Sequence, residues 1–209
     1  MSISSCARTA SASSTACAGS ASNPSRSASM PSLLRLDEHG RPEIAEEDFL
    51  WIEDAETTLD ALPGGPVLVP LALWQGARAA LRDRGDVGVW LDAHEEPETL
   101  AEDLAELPVI GLHFPLFTDG RGLSSAAILR TRLGYAGQLR ALGDVQRDQL
   151  APMRRCGIDA FRVRPDLDPL RAAAGLETMS AHYQGDVLDP RPLFRRVRRD
   201  GAELAANAA

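Results

Sequence analysis

The chain has 209 residues, 44% hydrophobic and 25% charged, the balance of an ordinary globular protein with one substantial core, and its longest apolar run, Val67 to Trp74, is broken by Pro70 and falls short of the roughly 18 residues a membrane span needs. All 22 cationic side chains are Arg, which excludes a Schiff-base lysine and a phosphate-loop lysine together. The net charge of −8 is divided unevenly: residues 30–119 carry 20 acids against 5 Arg, residues 120–209 carry 10 acids against 15 Arg, and nucleic acid is excluded as a partner because the acidic half repels phosphates and no aromatic-basic motif accompanies the Arg residues.

Residues 1–29 are rich in Ser and Ala, with almost no large apolar side chains, and read as a disordered head; the expectation is a start-site artefact with Met30 as the true beginning, and a transit peptide is the alternative. Residues 30–190 read as a single α/β domain, and residues 191–209 as a basic, then Ala-rich, flexible tail. From Leu33 to Ile52 apolar and polar residues alternate around His39-Gly40, which predicts a short N-terminal hairpin or edge segment with Trp51 and Ile52 anchored to the core.

After the Pro63-Gly64-Gly65-Pro66 break, short apolar runs alternate with helical periodicity. The pattern predicts strands at Val67–Leu71, Val87–Leu91, Val109–Phe114, Gln138–Leu142 and Ala160–Val163. Helices are predicted between them at Leu73–Asp83, Pro97–Glu106, Ser124–Leu133 and Val145–Cys156. Ser124 and Asp144 are the expected caps of the last two helices, with Gly134 and Gly157 at their ends. About five mainly parallel strands follow, in repeated βα units, as an open three-layer sheet or a half-barrel; a closed eight-stranded barrel typically needs about 250 residues.

In parallel α/β folds the loops after the strand C-termini gather on one edge, where ligands bind. Here those loops hold Trp74 and Gln75, then Asp92 and His94, then His113, Asp119 and Arg121, then Asp144 and Arg147, and finally Arg162 and Arg164. The segment from His113 to Ser125 feeds a helix through Asp119-Gly120-Arg121-Gly122. Backbone amides at that helix start, with Arg121, suit a phosphate, sulfate or carboxylate, and the expected anion-binding set is Asp119, Gly120, Arg121, Gly122, Ser124, Asp144 and Arg147. An ordinary turn and helix cap explains the same residues. His113 and Asp144 are the candidates for a general base.

Gly120-x-Gly122-x-x-Ser125 is a truncated dinucleotide fingerprint that lacks its third glycine. No complete cofactor motif is present, and no tight His spacing supports a metal. Cys156 is the only cysteine outside the head, which fits a reducing cytosol and supplies no thiolate set for an iron-sulfur cluster or structural zinc. Its place at a helix C-terminus reads as a buried structural thiol. The charge asymmetry leaves four outcomes open: pairing of the two halves, self-association into a homo-oligomer, an Arg-lined anion pocket, or charges scattered over a solvated surface.

Residues 114–161, through the blocks Asp119-Gly-Arg-Gly and Gly143-Asp-Val-x-Arg-Asp-Gln, resemble a bacterial family of unknown function whose genes lie beside those of assimilatory sulfite reductase and adenylylsulfate reductase. The likeness extends over most of residues 30–185, and the head departs from it. The resemblance implies a cytoplasmic protein of sulfite reduction, described in the family as an oxidoreductase, with sulfite reductase or another sulfur-assimilation enzyme as its partner. It brings no catalytic residues with it. Because no siroheme, iron-sulfur, flavin or nicotinamide ligand set is visible, the expected role is accessory, with an enzyme on an anionic substrate and a protein-interaction scaffold as alternatives.

Overall fold

The computed structural model describes residues 33–176 and 182–196; the expected head and the end of the expected tail lie outside the described residues. Strands form at the five predicted places: β4 (Val67–Pro70), β5 (Val87–Leu91), β6 (Val109–Phe114), β7 (Gln138–Gly143) and β8 (Ala160–Arg162). The count is eight rather than five, because three more strands join the same sheet. β1 (Leu33–Leu36) and β2 (Pro42–Ala45) make the N-terminal hairpin, and β3 (Leu50–Trp51) lies alongside β4. The hairpin turn is closed by Asp37, whose carboxylate accepts from the backbone N–H of His39 and Arg41, with Gly40 at φ 72°. A two-residue strand shows no alternation, and the pairing of β1 with β8 is a tertiary contact; both escape a reading of local pattern.

The helices are α1 (Leu71–Arg84), α2 (Arg121–Thr131), α3 (Leu150–Arg155), α4 (Pro169–Ala173) and α5 (Leu193–Arg196). Two predicted helices change character. Residues 97–106 do not form an α-helix: Pro97–Leu100 is a 3-10 turn, and further i+3 hydrogen bonds, Asp103 N–H to Leu100 and Glu106 N–H to Asp103, carry the chain on. The Val145–Cys156 segment divides into a 3-10 turn, Arg147–Gln149, and α3. Neither expected cap holds. Helix α2 starts three residues early on Gly120, so Ser124 lies inside it, and the turn before α3 is capped by Gln146 with Gln149 in a reciprocal box.

The strand order is β2-β1-β8-β7-β6-β5-β4-β3, with β3 to β8 parallel, each beside its successor in sequence, and β1 antiparallel to β8. This order selects between the two predicted architectures. Right-handed crossovers that always step to the next strand in one direction place their helices on one face, so a three-layer sandwich is not formed and the sheet curls into an open half-barrel.

Alternate residues then meet two different environments. Val69, Val89, Ile110, Leu112, Leu139 and Phe161 pack with Leu81, Leu129 and Met153 in the main core under the helices. On the inner face Leu68, Trp90, Val109 and Leu142 form a small second core covered by Phe49 and Trp51. Both faces of the central strands are therefore buried, which is why their sequences are nearly continuous apolar runs.

Candidate functional site

The register assembles a row of polar side chains across the strand C-terminal ends. Leu91 lies opposite Leu112, His113 opposite Leu142, and Ala141 opposite Phe161, so Asp92, one residue past β5, is level with His113 on β6 and, across the buried Leu142 of β7, with Arg162 on β8. Gly143, at φ 95°, turns the chain out of β7 at this level; a Cβ there would lie 2.9 Å from His113 Cδ2, so glycine both permits the turn and leaves the imidazole its place.

His113 Nδ1 is 3.0 Å from Asp92 Oδ1, and the ring stands 5.6 Å from the rings of Trp51 and of Trp90. Burial pushes the Asp92 carboxyl up, but hydrogen bonds from Ala93 N–H and His113, with the charges of His113 and His94, outweigh it and hold the group below its ordinary value. An ionised Asp92 accepts a hydrogen bond from Nδ1–H of His113, and in the neutral imidazole this tautomer leaves Nε2 as the acceptor, the arrangement a general base requires. His94, mostly exposed, touches the other Asp92 oxygen at 3.0 Å.

Trp51 is the centre of the inner-face cluster. Its ring meets Trp90 edge-on at 6.3 Å and carries the Arg162 guanidinium 5.0 Å from its centroid on a cation–π contact. Trp90 spends its own indole N–H on the carbonyl of Ile52, at 2.8 Å. Deeper on the same face Arg140 is fully buried; Asp48 and Gln138 each accept from its Nη2 at 2.6 Å, and its guanidinium lies 5.6 Å from the Phe49 ring. Three N–H groups here are buried without an aligned acceptor among the described residues: Trp51 Nε1, Arg140 Nη1 and Arg162 Nε. Arg162 Nε is 3.0 Å from Glu47, close enough for an ion pair but off the line of its N–H.

The residues predicted to bind an anion fall elsewhere on the strand-end edge. Arg121 binds Asp119 through Nε and Nη2, at 3.0 and 2.6 Å, and this contact holds the Asp119 carboxyl down at about 2. The pair is locally neutral, with the Arg121 side chain mostly exposed. Gly122 packs under the Phe114 ring, where a Cβ would come within 2.7 Å, and Ser124 is exposed on α2. Asp144 accepts from Phe117 N–H, Gln146 and Arg164 at 3.0, 3.3 and 3.1 Å, tying the β6 loop to the β7 loop. Burial pushes this carboxyl up and those three donors hold it low. Arg147 is exposed and lines an open cleft of about 860 Å³ with Gln146, Leu167 and Gly175. Cys156 is half-buried and burial pushes its thiol up, which keeps it protonated. Trp74 lies in the main core, its indole N–H on the buried Asp103.

Of the strand-end residues, the fold thus brings Asp92, His113 and Arg162 together with Trp51, while Arg121, near enough to feel the Asp92 charge, gives its hydrogen bonds to Asp119 and Arg147 lines a different cleft. Arg140, Glu47 and Asp48 were not foreseen. The available signal was an arginine at the centre of Gln-Leu-Arg-Ala-Leu, on the opposite parity from buried leucine and alanine, where a charge is stable only with a partner. A family model described as bacterial protein of unknown function (DUF934) matches residues 88–194, about half of the chain. The matched span holds Asp92, His113, Arg140 and Arg162, while Glu47, Asp48 and Trp51 precede it. No curated protein matches the chain.

Proposed function

The chain belongs to this bacterial family of unknown function, and on that premise we propose that it binds an oxyanion at the strand ends between Arg162 and His113, as a cytoplasmic accessory of assimilatory sulfite reduction. The carrying observation is the constellation itself: a guanidinium stacked on Trp51, whose ring also meets an imidazole held by Asp92. Arg supplies planar, always-charged donors suited to oxyanions, and the site lies where parallel βα folds place their ligands. The pathway role rests on the resemblance of residues 114–161 to proteins encoded beside sulfite reductase, and the reductase or another sulfur-assimilation enzyme is the proposed partner.

A second reading is favoured by the Asp92–His113 contact alone. It makes the protein a small enzyme on an anionic substrate, with His113 as general base and Asp92 fixing its tautomer. Asp144, the other candidate base, is committed to three donors.

The test is thermal unfolding of the full chain with sulfate, sulfite, phosphate, adenosine phosphates, FMN and NADPH, repeated with Arg162→Ala and Arg121→Ala. A ligand of the folded state at a hundredfold excess over its Kd adds about 2.7 kcal/mol. The expected shift comes with a small oxyanion, survives in Arg121→Ala and disappears in Arg162→Ala. Loss in Arg121→Ala alone moves the site to the Asp119–Gly122 loop, and no shift with any of these ligands sinks the reading.

A further inference from the structure

We propose that residues 46–48 are a built-in occupant of a two-arginine oxyanion site: the carboxylates of Glu47 and Asp48 sit where an external dianion, of the sulfate, sulfite or phosphate class, binds Arg162 and Arg140 after displacing them. The inference rests on the anion-site reading above and adds to it the second arginine and the regulation.

Four observations carry it. Arg140 is 0% exposed, yet of its guanidinium nitrogens Nη1 has no acceptor among the described residues, and buried donors left unpaired are rare in native folds. Arg162 meets Glu47 by distance but not by direction, and Trp51 Nε1 is buried without an acceptor. Three of the four buried side-chain donors without an acceptor among the described residues lie in this one cluster, the fourth being Arg196 Nε, whereas Arg121 at the start of α2 grips Asp119 through two nitrogens. Finally, all these donors face or belong to one short segment. Glu47 and Asp48 give their carboxylates to the two arginines, while Phe49 and Trp51 lay their rings against them.

The chemistry of the exchange is matched in charge. Two carboxylates neutralise two guanidinium groups but bring their oxygens from side chains on a single extended segment, which cannot reach every donor. A dianion with three or four oxygens replaces the same two charges and offers acceptors to the N–H groups left over. The two carboxylates are carried on lightly attached backbone, just before the Phe49 and Trp51 anchors. Residues 46–49 lie outside regular structure, Leu50 is 55% exposed, and the next backbone ties are Leu50 N–H to Pro66 and Ile52 N–H to Leu68. Its release uncovers Arg140 without dismantling a long strand.

The experiment is calorimetric titration of the full chain with sulfate and with phosphate at constant ionic strength, on the unsubstituted protein and on Glu47→Gln/Asp48→Asn, with hydrogen exchange over residues 46–52 in the unsubstituted protein. Removing the competing carboxylates should tighten binding about tenfold or more, the factor expected when the open form is a tenth of the population or less. Saturating anion should speed exchange at residues 46–49 while the β3 amides stay protected. The preferred anion distinguishes a sulfur from a phosphorus oxyanion. Equal affinity in the two proteins, or binding with unchanged exchange, overturns the occupant role while leaving the anion site standing. Should the double variant unfold, the exchange measurement on the unsubstituted protein decides. Binding that persists in Arg162→Ala, or no binding by either protein, overturns the site and the occupant together.

Discussion

Asp92 shows how one residue at a strand end acquires its role from its neighbours. It joins His113 and His94, and its carboxyl is held below the ordinary value of about 3.9 because donated hydrogen bonds outweigh burial. A carboxyl whose folded value is depressed stabilises the fold while it is ionised, so this contribution is complete above about pH 4 and is lost as the pH falls through the depressed value. Urea unfolding of Asp92→Asn should accordingly show a stability deficit at about pH 5 that narrows in more acid solution. A deficit that stays constant into acid would mean that the Asp92 charge does not contribute. At this scale His113 and Arg162 were legible, because a polar residue at the end of an apolar run in a parallel fold points to the ligand-binding edge. Arg140 was not, since its partner Asp48 is 92 residues away in sequence and only pairing across the sheet brings them together.

The connection from β5 to β6 shows an element whose tertiary contact outweighs its propensity. Pro97-Glu-Thr-Leu-Ala-Glu-Asp-Leu-Ala-Glu has helical periodicity, yet the chain winds in i+3 turns and delivers Asp103 into the main core. There the carboxylate is 0% exposed, accepts the Trp74 indole N–H at 2.8 Å and pairs with Arg78 at 3.0 Å and with Arg82. Removing one partner of a buried ion cluster leaves the others uncompensated, so Asp103→Ala should cost about 3–5 kcal/mol in urea unfolding. A loss below about 1 kcal/mol would show that water replaces the carboxylate at no great cost. The same comparison explains the strands. Five were legible because each is a largely buried run of three to six residues, while β3, with two residues, has too short a pattern to read and exists only through its pairing with β4.

For the whole molecule, the half-barrel follows from strand order alone. It sets His113, Arg162 and Arg140 on one concave face, and the charge asymmetry of the sequence is partly spent across that face, where acids from before residue 50 meet arginines from after residue 139. The proposed role in sulfite reduction is a property of the whole protein and is tested in the cell: deleting the gene should prevent growth on sulfate and on sulfite, with sulfide restoring it, whereas growth on all three would refute the role. By itself the sequence determined the βα rhythm, the places of five strands and the hairpin, and the strand-end position of Asp92 and His113, because these depend on local periodicity and on residue chemistry within short windows. Only the tertiary structure decided the half-barrel over the layered sheet, the buried Arg140, and the approach of Glu47 and Asp48 to the two arginines. Those depend on which strands become neighbours and on burial that leaves each charge no solvent to turn to.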